Sequence, residues 1–351
     1  STINTEIIMN SINSIQQRLI LLNEKESPFI TVNNSEWFSL FRDEIRNSIA
    51  IEGVLANRNE LLNVLEMGRR TPNQKSAAIL GYFEAASTLY DYAGNQNDSN
   101  EFQLRHADLK QIHTLLMRYE HQLGTFTGKL GGFRDENVAV TNSTFTPLDF
   151  QLIPDVLSVF IQWHNAQLNN AKLDSLTFVA ASHIIFETIH PFRDGNGRVG
   201  RILLSYLLIG IGFINIAIKG TQKPDRQKYY QALEAGDDEI EAMLRRIEKG
   251  EKPTVARINK AIQKSDLSKI KLIIHKCLSQ SLDRIEKGIK THDLDAMIPL
   301  REAAKYFNYS QDYLRQLIHL EKLPAKKGGK LWMVKIRDID KYSRDVEKSK
   351  S

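Results

Sequence analysis

Residues 190–201, His190-Pro-Phe-Arg-Asp-Gly-Asn-Gly-Arg-Val-Gly-Arg201, bring a base, a carboxylate, a glycine-flanked loop and two arginines into one short stretch. A histidine titrates near neutrality and can take the proton of a hydroxyl at useful driving force. Gly195 and Gly197 let backbone N–H groups turn toward an anion with no Cβ in the way. Arg198 and Arg201 stand at i and i+3, hence on one side of a helix, and their forked guanidiniums suit phosphate oxygens. Asp194 is a carboxylate that could share a Mg²⁺ ion with those phosphates. The chemistry implied is binding of a nucleotide polyphosphate with a metal ion, next to a base that deprotonates a hydroxyl.

Two helices must hold this loop. Val179, His183, Phe186 and His190 recur at helical spacing, so His190 is expected at the C-terminus of a helix over 175–189, and Pro191 favours a break there. Ile202, Leu203, Leu204, Leu207, Leu208 and Ile211 resume a helical pattern after the loop. A glycine loop that feeds a helix N-terminus is a ready anion site, because free N–H groups and the dipole both face the ligand. The apolar run 202–218 contains Ser205, Tyr206 and Asn215 and falls short of a membrane span, which needs about 20 residues. It is expected to be the central buried helix.

The pattern His-x-Phe-x-Asp-Gly-Asn-Gly-Arg-x-x-Arg at 190–201 resembles the signature of Fic-domain proteins at every fixed position. The resemblance implies a protein adenylyltransferase that moves AMP from ATP to a Ser, Thr or Tyr hydroxyl of a target protein. It assigns His190 as general base, Asp194 as the Mg²⁺ ligand, and Gly195, Asn196 and Gly197 as the anion hole. Arg198 would contact the β-phosphate and Arg201 the γ-phosphate. A Fic-like kinase subgroup carries lysine where Gly197 stands here, which weighs against kinase activity. The motif leaves phosphocholine transfer open.

Far upstream, Ser48-Ile-Ala-Ile-Glu52-Gly53 resembles the inhibitory pattern of self-restrained Fic proteins. Trp37, Phe38, Phe41, Ile45 and Ile49 before it recur at helical spacing, and Gly53 makes a natural stop. The resemblance pairs Glu52 with Arg201 in place of a γ-phosphate oxygen, so that ATP binds unproductively. The same glutamate could orient water for removal of AMP. Phe133-Arg134, a turn, and Val138-Ala139-Val140 read as a β-hairpin and resemble the family's flap, which holds a target segment by strand addition. Tyr229 and Tyr230 begin a helix similar to the one that closes the adenine pocket.

Composition fits an ordinary soluble chain of two or three domains: 351 residues, 42% hydrophobic, net charge +5. A single cysteine, Cys277, forms no internal disulfide, and no charged-then-apolar stretch opens the sequence, so a cytoplasmic setting is expected. No His-Glu-x-x-His pattern or cysteine cluster suggests zinc. Thr71-Pro72-Asn73-Gln74 reads as a capping box with proline at the first helical position, and Asn57 with Glu60 as another cap. His113 and His164 are expected to be core or surface histidines rather than ligands.

The expected architecture is mainly α, a Fic-type helical core with a β-hairpin flap and a small C-terminal winged helix-turn-helix domain. A helical region over 1–100 holds the inhibitory helix at about 36–53, the catalytic core spans 101–245, and a helical linker, or dimer surface, spans 246–293. Residues 294–351 resemble the excisionase/MerR-like family: a helix over 301–307, a turn at Asn308-Tyr309, a helix from Ser310, and a hairpin around Gly328-Gly329. Residues 298–351 hold thirteen Lys and Arg against seven Asp and Glu, so the whole basic excess lies there. That is the footprint of DNA binding, with Gln311, Tyr313, Arg315 and Gln316 as base-reading candidates and Lys326, Lys327 and Lys330 as phosphate contacts. The competing reading is a DNA-binding transcriptional regulator whose Fic core senses nucleotide. The intact His190 favours the enzyme.

Overall fold

Capped, apolar-striped segments become helices almost throughout the computed structural model, which describes residues 14–19, 35–65, 72–140, 145–170, 172–291, 297–306 and 309–348. Thr71, Asn308 and the side chains of Trp37 and Phe38 lie outside the described residues. The described parts of Arg42–Leu278 form one unit, and those of Ser14–Phe41 with Ser279–Ser351 form a second.

The first unit is built from α1 (Ser35–Ile51), α2 (Arg58–Leu65), α3 (Gln74–Asp98), α4 (His106–Gln122) and α5 (Ile153–Asn169). It continues with α6 (Ser175–Ile189), α7 (Asn196–Gly210), α8 (Lys223–Glu248), α9 (Val255–Lys264) and α10 (Ser268–Thr291). α1 and α10 run on into the second unit's residues. Gly53, at φ +85°, stops α1, and the N–H of Val54 turns back to the carbonyl of Ile49 at 3.0 Å. Asn57 and Glu60 cap α2 reciprocally. At α3 the cap is Asn73, whose side chain accepts from Ser76 N at 2.9 Å, with Pro72 before the helix rather than at its first position. Asparagine's short amide reaches the third N–H, so it takes the role expected of Thr71.

α7 is the centre of the unit. Val199, Ile202, Leu203, Tyr206 and Leu207 are completely buried, and α3, α4 and α6 pack around them. Each such side chain contributes about 1.5–3 kcal/mol of burial. The helix ends at Gly210, short of the expected Ile218. Gly212 adopts φ +91°, and the N–H of Phe213 folds back to Leu208 O at 2.8 Å, so the rest of the apolar run leaves as a loop.

A buried polar knot fixes α1 to this core. The Glu44 carboxylate is 2% exposed and accepts from the hydroxyls of Tyr82 and Tyr90 and, at 2.6 Å, from Asn215 Nδ2. Burial pushes its carboxyl up to about 7, against the pull of those three donors. Removing it takes a buried acceptor from two phenols and an amide. Glu44→Ala is expected to destabilise the protein by roughly 2–3 kcal/mol, read as a lower denaturant midpoint, with Glu44→Gln losing less.

Where the β-hairpin flap is expected, the described residues 133–140 hold no strand. The backbone there is shaped by Arg134, whose guanidinium donates to the carbonyls of Glu136 (3.0 Å), His190 (2.8 Å) and Leu148, drawing the segment into a loop.

The second unit carries β1 (Met297–Pro299), α11 (Leu300–Tyr306), α12 (Gln311–His319), β2 (Ala325–Gly328), β3 (Leu331–Lys335) and α13 (Ile336–Lys348). The strands form an antiparallel sheet in the order β1-β3-β2, with Ile298 opposite Val334 and Lys327 opposite Trp332. Ile298, Ala303, Leu314, Leu317, Leu323, Val334 and Ile339 make its core. Ser310 caps α12 by accepting from Tyr313 N at 3.1 Å. No described helix in either unit is long and apolar enough to cross a membrane. Cys277 is buried, and burial pushes its thiol up to about 12.

Candidate functional site

His190 closes α6 in the left-handed conformation (φ 53°, ψ 60°), which costs a non-glycine residue energy and persists only where its surroundings enforce it. Those surroundings are Arg134, whose Nε donates to His190 O at 2.8 Å and whose backbone N–H donates to Pro191 O at 2.9 Å. The imidazole Nδ1 faces Glu187 O at 3.4 Å. Burial lowers its pKa to about 4, so the ring is a neutral base at pH 7.

The loop that follows is held from within. Asn196 accepts from Phe192 N and donates to Phe192 O, both at 2.8 Å, so its side chain fixes the turn and only its backbone is left for an anion. Gly195 (φ +81°) caps α7, and the N–H groups at the start of that helix have no helical partner. Asp194 is exposed, and one of its oxygens accepts from Gly195 N at 2.6 Å.

The two arginines diverge. Arg201 lies beneath a cavity of about 710 Å³ that is also lined by His190, Asp194, Gly195, Asn196, Gly197 and Glu52. Its Nε donates to Ser48 Oγ at 2.8 Å, and its Nη2 to Ser48 O at 3.1 Å and to Glu52 Oε1 at 2.5 Å. Burial works against the Glu52 carboxylate, but the charge and hydrogen bond of Arg201, with Arg198 and His190 behind them, hold its pKa below the usual value. Gly197 makes room for this pair, since a Cβ there would lie 2.4 Å from Glu52 Oε1. Arg198 is not among the cavity residues. Its Nη1 donates to the buried Glu120 at 2.6 Å, so the expected pair of phosphate arginines is one arginine in the cavity and one locked behind it.

Tyr229 is buried on the cavity wall, where its hydroxyl meets His183 Nε2 at 2.8 Å. His183 Nδ1 lies 3.1 Å from Gly200 O, so Nδ1 carries the proton and Nε2 accepts from the tyrosine. Tyr230, 44% exposed, lines the same wall and donates to Ile51 O at 3.2 Å. Of the flap residues, Ala139 and Val140 line the cavity, and Val138 lines a neighbouring hollow with Asp149 and Arg245. Glu187 also lines the cavity, with its carboxyl pushed up to about 8 by burial.

Sequence reasoning missed Arg134, Glu120, Glu187 and the part His113 plays. Only Arg134 carried a signal, its place in the flap motif. The DNA-contact candidates Gln311, Arg315, Lys326, Lys327 and Lys330 all lie in the second unit. There Arg315 is paired with Asp312 at 2.7 Å and Lys327 lies over the Trp332 ring.

The arrangement is a cavity lined by a glycine loop, with a neutral base on its wall and a carboxylate seated on an arginine. Comparisons with known proteins show what the chain is similar to. Residues 103–208 match the Fic/DOC family model, and the chain carries a Fic domain there. It is 26% identical over 283 residues to a probable protein adenylyltransferase of Aquifex aeolicus, covering 80% of this chain and 82% of that protein. It is 28% identical to the protein adenylyltransferase Fic of Culex quinquefasciatus, covering 55% of this chain but only 36% of that protein. Among solved structures it shares its fold with a Fic-domain signalling protein of Bacteroides thetaiotaomicron (TM-score 0.57, 18% identity, 79% of this chain and 97% of that one). Fic-1 of Caenorhabditis elegans, residues 134–508, is similar at TM-score 0.59 and 18% identity, over 82% and 74% of the two chains.

Proposed function

We propose that this chain, whose residues 103–208 form a Fic domain, is a protein adenylyltransferase held inactive by its own α1 helix. The observation that carries this is the Glu52 carboxylate seated on Arg201, in the cavity that also holds His190 and the glycine loop. The names of the matched relatives support AMP as the transferred group.

In the productive pose the triphosphate chain of ATP runs along the start of α7 with its terminal phosphate on Arg201. His190 takes the proton of a target Ser, Thr or Tyr hydroxyl, the hydroxyl oxygen bonds to the α-phosphorus, and pyrophosphate leaves with the electrons of the broken P–O bond. Backbone N–H groups of the loop stabilise the charge that builds on the phosphate oxygens. A Mg²⁺ ion fits the donor set, because Asp194 offers an exposed carboxylate on the cavity wall beside the loop that would hold the phosphates. Mg²⁺ is commonly held by one carboxylate with phosphates and water, and when bound it would neutralise phosphate charge. Glu52 occupies the arginine needed by the terminal phosphate, so nucleotide that enters alongside it is displaced from the line of attack. The target segment lies along 138–140, whose backbone would take an added strand.

The experiment is transfer of label from ATP radiolabelled at the α-phosphate. Incorporation by the wild type is expected to be weak, and label carried from the γ-phosphate instead would refute nucleotidyl transfer. Because His190 is already neutral far below its usual pKa, the rate with Glu52 removed should stay flat from pH 6 to 8. Acid protonates the base, so a falling limb belongs near its value of about 4. A limb centred at the ordinary histidine value would contradict the assignment.

For the second unit, we infer a winged helix-turn-helix that binds DNA. The sequence of α11, the capped α12 and the β2–β3 hairpin with Lys326, Lys327 and Lys330 supports it, as does the basic excess of that region. A mobility shift with random duplex DNA is expected at low salt and should fade as salt rises. Replacing the three lysines with alanine should weaken it at least about tenfold, and no shift at low salt would exclude the reading.

A further inference from the structure

We propose that His113, outside the signature, is a positioning residue that aims the Asp194 carboxylate at the metal–phosphate site by pinning the peptide unit between Asp194 and Gly195. The inference rests on the adenylyltransferase reading and names a further part of its machinery.

His113 is completely buried in α4. Its Nδ1 accepts the backbone N–H of Gly131 at 3.0 Å, so in the neutral ring the proton sits on Nε2. Nε2 then donates to the carbonyl of Asp194 at 3.2 Å. The ring is stacked on Phe192 of the signature (centroids 4.1 Å apart, planes 11° apart), with Phe126 against it edge-on. Its position and its tautomer are both fixed.

The consequence follows from peptide geometry. In a trans peptide the C=O and N–H bonds point in opposite directions. Holding the Asp194 carbonyl toward His113 sends the Gly195 N–H the other way, where Asp194 Oδ1 accepts it at 2.6 Å. One carboxylate oxygen is thereby fixed and the other is left for a ligand. Gly195 packs closely on α4, where a Cβ would lie 2.8 Å from Met117 Sδ on the same helix as His113. Arg134 holds the His190 end of the loop, and His113 holds the Asp194 end.

The test is titration calorimetry of ADP, with Mg²⁺ and with EDTA, into the full chain carrying Glu52→Gly and then each His113 variant. Gln extends an amide N–H to where Nε2 stands, whereas Asn reaches only the Nδ1 position. Magnesium is expected to tighten ADP binding to the Glu52→Gly protein. His113→Ala and His113→Asn should reduce that magnesium gain about tenfold or more, as loss of an orienting partner does at metal sites. His113→Gln should keep it within about threefold, and affinity in EDTA should change little in any variant. Both amides open similar space beside Phe192, so a general loosening of the core would lower both alike. Equal loss in Gln and Asn, or no loss in Ala, overturns the inference while the nucleotide reading stands. Absence of any magnesium gain in the Glu52→Gly protein itself overturns both.

Discussion

Glu52→Gly should raise transfer of AMP by about tenfold or more over the wild type, measured as label incorporated from α-labelled ATP. The change removes the acceptor that holds Arg201 Nη2 at 2.5 Å while leaving the two Ser48 contacts that keep the guanidinium in place. A hydrogen bond between charged groups contributes about 1.5–3 kcal/mol, and 1.4 kcal/mol corresponds to roughly tenfold. The Glu52 side chain is 37% exposed, so solvent trims the pair toward the lower end of that range. The Gly197 contact adds a steric part, because the carboxylate fills the space over the loop that a phosphate needs. Glu52→Gln, which keeps the shape and loses the charge, should fall between the two proteins. A Glu52→Gly rate equal to that of the wild type would mean the pair restrains nothing.

The second large effect is loss. In the Glu52→Gly background, His190→Ala should lower the transfer rate about 10²–10⁴-fold, the usual contribution of a positioned general base. Nucleotide affinity should hold, since the proposed phosphate contacts do not use the His190 side chain and its backbone turn is kept by Arg134. His190→Ala also removes a ring from the strained left-handed position, so its melting temperature serves as a check on folding. A fall below about tenfold would show that the proton leaves by another route.

How far the sequence reached depended on whether the needed information was local. The α6–loop–α7 unit was legible because its residues are contiguous: a helical stripe, a proline, two glycines, then another stripe. Glu52 and Arg201 could be paired across 149 positions only because two motifs were read together, whereas the Ser48 contacts with Arg201 came from the structure. Glu120 was invisible. It lies 78 positions from Arg198, and nothing in α4 singles it out from other polar helix residues, yet it turns Arg198 away from the cavity. His113 looked like an ordinary core or surface histidine for the same reason: its partners Gly131, Phe192 and Asp194 come from two segments distant from it in sequence. The flap was read as a hairpin from its strand–turn–strand pattern and its resemblance to the family's flap, neither of which shows the three carbonyls that Arg134 draws in. Helix ends were read less well than helix centres. α7 stops at Gly210 because Gly212 turns left-handed there, a backbone fact that apolar content cannot signal.

The claim on which the rest depends is that Glu52 holds the place of a terminal phosphate on Arg201. Diffraction from crystals of the Glu52→Gly protein with a non-hydrolysable ATP analogue and Mg²⁺ tests it most directly. The account predicts the terminal phosphate on Arg201, where the carboxylate now lies, with the α-phosphorus facing His190. An analogue bound away from the 194–198 loop, or one that leaves Arg201 without a phosphate oxygen, would contradict it.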